Sequence, residues 1–221
     1  MGGGGLGRRG GVGGVLTGRG LADLLSEVEA EVKSCRRCGL WRSRRNPVFG
    51  EGNPESGIVF IGEAPGRSED LAGRPFVGAA GKVLDRMLGL AGLSRQDVYI
   101  TNVLKCRPPG NRDPRPEEVE ACTPYLERQL MIIRPRVVVT LGRHALNYVL
   151  RWTDVRGSVS RLHGTVIRLK APFGESSLVP LYHPAVLLYR PAMKEVFERD
   201  FRALGEVVDR VFKLRRRSAE L

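Results

Sequence analysis

Cys35, Cys38, Cys106 and Cys122 are the whole thiol content of the chain, spaced C-x2-C and, after a long gap, C-x15-C. Such a set suits metal ligation: the first pair can chelate one edge of a centre from a single turn, and the fold must carry in the second pair. Three chemistries compete. Disulfides fit poorly, because the N-terminus is glycine and arginine with no continuous apolar signal region. Zinc takes four thiolates tetrahedrally, but zinc ribbons favour two tight C-x2-C knuckles, and the second spacing here is loose. A [4Fe–4S] cluster also takes four thiolates, tolerates wider spacing and carries negative charge once ligated, which Arg36, Arg37 and Arg107 beside the ligands would offset.

Other residues could bind or react. Gly62-Glu63-Ala64-Pro65-Gly66 is a tight turn whose backbone N–H groups could face a ligand or serve the turn alone. It is no nucleotide P-loop, since Lys82 comes sixteen residues after Gly66. Glu63 and Glu69 offer acid–base chemistry or are simply solvated. Phe76, in Arg74-Pro75-Phe76-Val77-Gly78, is either a core plug or a platform on which a base stacks. Asn102 is a turn former or, having donor and acceptor together, a reader of a base edge. His183 precedes Pro184, which restricts it to an extended backbone and fixes where its imidazole points. A structural hydrogen bond is the alternative for it. His144 and His163 receive no role.

The elements that must position these residues follow from apolar periodicity. Leu21, Leu24, Leu25, Val28 and Val32 recur at helical spacing and lead into Cys35. Strands are expected at 58–61, 98–100, 137–141, 165–169 and 178–182. Helix faces are expected from Val83 to Leu90, Pro116 to Ile133, Arg143 to Leu150 and Pro191 to about Phe212. Pro124 should kink the 116–133 helix or delay its start. This alternation predicts an α/β fold with a central, mostly parallel sheet covered on both faces. Glu63, Asn102, Gly142 and His183 each directly follow a strand, where open α/β sheets bind ligands, so four loops should converge on one pocket.

The chain has 221 residues, enough for one domain that buries a core without a metal's help. Residues 1–20 hold eleven glycines and read as a flexible extension; 21–214 form the single domain; 215–221 are a basic tail. No apolar run approaches the roughly 18 residues of a membrane helix, so no membrane partner is expected, and the expected compartment is cytoplasmic. The net charge is +12, and only six of 36 basic residues are lysine. Arginine's planar fork suits phosphate and bases, so the charge points to nucleic acid, although genomic base composition also enriches arginine.

Taken together, the four cysteines with GEAPGRSED (62–70), GRPFVGAAG (73–81), NVLKCRPPGNRDP (102–114) and HPAVLL (183–188) resemble the family 4 uracil-DNA glycosylases, the thermostable iron–sulfur type. The resemblance covers roughly residues 24–212; the glycine-rich N-terminus and about 154–176 lie outside it. It implies a three-layer α/β/α sandwich, the uracil-DNA glycosylase superfamily fold, and a structural [4Fe–4S] cluster on the four cysteines. It also implies that Phe76 stacks on uracil, Asn102 reads its Watson–Crick edge and His183 bonds the base near O2. Glu63 and the Ala64 backbone would line the pocket floor, and Glu69 would support the site through Asn111.

The implied reaction is base excision: the nucleotide is flipped out and its glycosidic bond hydrolysed, leaving an abasic site. His183 would stabilise charge developing on the base, and Glu63 is the candidate for positioning water. The expected partner is uracil-containing DNA, single- or double-stranded, bound by a monomer, with a sliding clamp or other repair proteins as candidate contacts. An iron–sulfur DNA binder without catalysis and a zinc-stabilised adaptor are the alternatives.

Overall fold

Short, wholly apolar runs decide which strands lie innermost. In the computed structural model, which describes residues 20–219 with side chains through 213, six strands form one sheet. They are β1 (Glu51–Gly52), β2 (Ile58–Gly62), β3 (Tyr99–Asn102), β4 (Val137–Leu141), β5 (Ile167–Ala171) and β6 (Gly174–Leu181), in the order β1-β3-β2-β4-β6-β5. The central four run parallel, and both edge strands are antiparallel to their neighbours. Every residue of β2, β3 and β4 is buried, as a sheet covered on both faces requires, whereas β5 at the edge alternates.

The eight helices are α1 (Leu21–Ser34), α2 (Arg67–Ala72), α3 (Ala79–Leu90), α4 (Pro116–Ile133), α5 (Arg143–Leu150), α6 (Val159–Leu162), α7 (Val186–Tyr189) and α8 (Lys194–Ala219). Alternate strand residues supply the two cores. Val59, Ile61 and Val138 pack under α1, α4 and α5. Ile58, Phe60, Val137 and Val139 pack under α3 and α8. The result is the three-layer α/β/α arrangement expected from sequence. None of the described helices is long and apolar enough to cross a membrane.

Several boundaries differ from expectation. Pro124 sits inside α4, which runs on through it. Its ring is exposed while Cys122, Tyr125, Leu126, Gln129, Leu130 and Ile133 are buried. The hydrogen bond that proline removes therefore falls on the solvent side, and the packed face holds the helix together. The last two strands form an antiparallel hairpin shifted from the expected 165–169 and 178–182. The last helix begins at Lys194 and extends past Phe212 to Ala219. Residues 1–19 of the expected glycine-rich extension lie outside the described residues. So do the side chains of the expected tail over 215–221.

Candidate active site

The carboxyl ends of β2, β3, β4 and β6 share one edge of the sheet; Gly62 pairs with Asn102, and Leu141 with Leu181. The segments leaving β2, β3 and β6 enclose a cleft of about 460 Å³, whereas Gly142 after β4, expected to reach the same pocket, does not line it. Glu63, Ala64, Glu69, Phe76, Asn102, Asn111 and His183 all line it, so the separate sequence motifs meet in one place. Gly142 stands behind His183: a Cβ added there would lie 3.0 Å from the histidine Cβ, and the glycine holds φ +90°.

Asn102 is 2 % exposed, and its side-chain Oδ1 has no protein hydrogen-bond partner. Leaving a buried acceptor unmet costs about 1–3 kcal/mol, so such an atom in a cleft marks a place for a donor on a ligand. Two features hold it there. Gly62 has no Cβ, and one built on it would come within 2.3 Å of Asn102 Oδ1 and 2.7 Å of Phe76 Cζ. Lys105, 1 % exposed, holds the backbone: its Nζ donates to the Asn102 carbonyl at 2.9 Å, to Thr101 Oγ1 at 2.7 Å and to Gln129 Oε1 at 2.6 Å. Three acceptors match the three protons of an ammonium. Burial pulls this lysine down to about 7, while the neighbouring Cys122 and Cys106 oppose that.

Phe76 takes a left-handed backbone with φ +51°, a conformation costing about 1–3 kcal/mol in a bulky residue that surrounding contacts must offset. Arg95 supplies one set, donating to the carbonyls of Pro75 and Phe76. Glu69 supplies another: its carboxylate accepts from the N–H groups of Val77 at 2.9 Å, Gly78 at 2.8 Å and Gly66 at 3.1 Å. One carboxylate thus fastens the turn after β2 to the Phe76 loop. Asn111 also lines the cleft, but its Oδ1 accepts from Arg107 Nε at 2.6 Å, so the support expected between Glu69 and Asn111 runs instead through backbone amides. No sequence signal marked Arg95. For Glu69 there was one: Gly66-x-x-Glu69 is the capping pattern that starts α2.

His183 faces Phe76 with ring centroids 5.6 Å apart. Its Nδ1 accepts from the N–H of Ala185 at 3.2 Å, which leaves the proton on Nε2 as a donor toward the cleft. Burial lowers the imidazole to about 4, opposed in part by nearby Glu69, so the ring is neutral at physiological pH. Glu63, half-buried, is raised above the usual carboxylate range by desolvation. Leu188 and Tyr189, on the same segment as the histidine, also line the cleft and are 44 % and 83 % exposed.

Beneath the cleft the four cysteines line a second, smaller pocket with Val32, Leu40, Trp41 and Tyr125. Cys35 ends α1 and Cys122 lies in α4; α1 packing on α4 joins them, and Cys106 arrives on the loop after β3. None is paired as a disulfide. Arg44 Nη1 donates to Cys106 Sγ at 3.1 Å, the Lys105 N–H to Cys122 Sγ at 3.2 Å and the Arg37 N–H to Cys35 Sγ at 3.5 Å. Arg44 was missed in the sequence; Arg36 stacks on Trp41, and Arg107 turns to Asn111. Burial pushes the Cys122 thiol up to about 12, so ionising this nest calls for a cationic centre.

Comparison with known proteins agrees with this geometry. The Uracil DNA glycosylase superfamily matches residues 49–205. A type-4 uracil-DNA glycosylase of Archaeoglobus fulgidus is 52 % identical over 184 residues, covering 83 % of this chain and 92 % of that protein. Those of Sulfurisphaera tokodaii and Thermotoga maritima are 47 % and 45 % identical, covering 84 % and 75 % of this chain and 85 % and 84 % of theirs. With the sheet, the motif order and the cleft in agreement, the chain belongs to the uracil-DNA glycosylase superfamily, among its type-4 members.

Proposed function

We propose that the chain flips uracil out of DNA and hydrolyses its N-glycosidic bond, leaving an abasic site from which base excision repair proceeds. The observation that carries this is the buried, unpartnered Oδ1 of Asn102 at the floor of a cleft whose walls are Phe76 and His183. Uracil offers N3–H to that oxygen, and its O4 accepts from the same amide; cytosine, with an unprotonated N3 and an amino group at C4, reverses both demands. Phe76 stacks on the ring. The narrow space between Phe76 and the turn after β2 disfavours the thymine methyl.

Flipping costs a few kcal/mol, least at a mismatch. The +12 charge favours the phosphate backbone, and Leu188 and Tyr189 at the rim are placed to fill the gap that the base leaves. When the C1′–N1 bond breaks, its electron pair goes to uracil. His183 Nε2–H then donates to O2, and being neutral and fixed by Ala185 it needs no reorganisation to do so. Water adds at C1′, and Glu63 is the side chain that positions it. Residues 21–214 act as one catalytic domain.

The cysteine nest fits a [4Fe–4S] cluster held by Cys35, Cys38, Cys106 and Cys122, with N–H groups of Arg37, Arg44 and Lys105 directed at three of the sulfurs. Such a cluster supplies cross-linking, joining α1, the loop after β3 and α4 through four iron–thiolate bonds. Lys105 then carries that rigidity to the carbonyl of Asn102.

The test is release of free uracil from U·G, U·A and single-stranded oligonucleotides, with iron counted in the same preparation. Uracil released with an abasic strand supports the reading. Binding without release would leave an iron–sulfur DNA binder.

A further inference from the structure

His144 carries no role in the reaction described above, yet it stands beside the one carboxylate assigned to water. It is the second residue of α5, two positions past Gly142, which follows β4. Its Nε2 lies 3.8 Å from Glu63 Oε2 and 3.4 Å from Asp113 Oδ1. These three side chains come from three segments: the turn after β2, the loop before α4 and the start of α5. Among the described residues they form the set of His, Cys, Asp and Glu side chains whose ligating atoms all lie within 4.8 Å of one another. Arg143 completes the group by pairing with Asp113.

We propose that His144, backed by Asp113, is a positioning residue for Glu63, holding that carboxylate toward the cleft and keeping it anionic while water adds at C1′. The inference rests on the assignment of Glu63 to water. In the step itself the C1′–N1 bond breaks with its electrons going to uracil, and the water oxygen forms the new bond to C1′. The water proton passes to Glu63 and from there to solvent or to the departing uracil anion.

The charged groups facing Glu63 are His144 and Arg143 from α5 and Asp113 from the loop before α4. Desolvation works against ionised Glu63, and Asp113 adds to that; His144 and Arg143 oppose it. Both act on Glu63 where that carboxylate gains its proton, at the acid edge of the activity profile. Asp113 in turn, held below the usual carboxylate range once Arg143 and His144 outweigh its slight desolvation, stays charged and keeps His144 in place.

The experiment measures single-turnover uracil excision between pH 5 and pH 9 for the full chain, His144→Gln, Asp113→Asn and Glu63→Gln, with iron content and abasic-DNA binding determined alongside. For His144→Gln the acid limb should move upward by about half to one pH unit, the scale set by losing a nearby opposite charge at a partly exposed site. The rate above pH 8 should stay within about threefold of the parent, and iron and abasic-DNA binding should be unchanged. Asp113→Asn should shift the limb in the same direction by less. A limb that does not move in His144→Gln, or an equal loss at every pH, overturns the role of His144 even where Glu63→Gln removes the limb. Should Glu63→Gln keep the parent's rate and limb, the assignment of water to Glu63 falls, and this inference with it.

Discussion

Gly62 and Asn102 face each other at the ends of two paired strands, and the space that a Cβ on Gly62 would fill is the space beside the unpartnered Asn102 Oδ1. The group proposed to read the base and the hollow in front of it are thus set by one missing side chain. Gly62→Ala should fold, because overpacking of this kind costs about 1–3 kcal/mol against a larger core. Single-turnover excision should fall at least about tenfold as Asn102 and Phe76 are pushed apart, with abasic-DNA binding nearly unchanged. Excision at the parent's rate would mean that the asparagine is not the reader.

The proposed role of His183 as a neutral donor makes two measurable statements. His183→Ala should slow single-turnover excision by about 10² to 10³, the usual effect of removing one preorganised donor, without weakening affinity for uncleaved DNA. His183→Asn should retain more. Matched losses of rate and affinity would reduce the residue to a DNA contact.

The same residue sets a window in stability. Its imidazole sits near 4 in the folded chain, below its ordinary 6.5. Between those values the unfolded chain takes up a proton at this site that the folded chain does not, so stability falls as pH drops from about 6.5 toward 4. His183→Asn should therefore lose less thermal stability across that window than the parent. Parallel melting curves from pH 7 to pH 4 would show that the folded imidazole titrates normally.

Much of this was legible from residue types alone. Runs such as Ile58–Ile61 and Val137–Leu141 could be little else than buried strands, and a strand end followed by Glu63, Asn102 or His183 placed those residues on one edge. What escaped were relationships that depend on distance through space. Arg95 holds the Phe76 carbonyl from nineteen positions away, and Arg44 reaches Cys106 across sixty-two. Pro124 suggested a kink or a delayed start because local propensity cannot weigh the apolar face on the other side of α4. The short helix α2 was missed although Gly66, Glu69 and Gly73 spell its two ends.

For the cysteine nest, purified protein should carry about four irons per chain and absorb near 400 nm, as the proposed [4Fe–4S] cluster implies. Cys106→Ala, or removal of iron by chelation, should lower the melting temperature and the yield of soluble protein before it produces any selective catalytic defect. The reason is that the proposed centre would join α1 to α4 and take no part in the bond-breaking step. One zinc per chain and no iron, in protein purified without oxygen, would contradict the assignment.

The central claim is that Asn102 reads uracil in a cleft built for it. It is tested most directly by single-turnover release of uracil, cytosine and thymine from otherwise identical duplexes, by the parent and by Asn102→Ala. The parent should release uracil and neither of the others. The variant should lose about 1–3 kcal/mol of that preference, roughly five- to 150-fold in rate, while binding abasic DNA as the parent does. Comparable release of all three bases by the parent, or undiminished uracil release by Asn102→Ala, would contradict it.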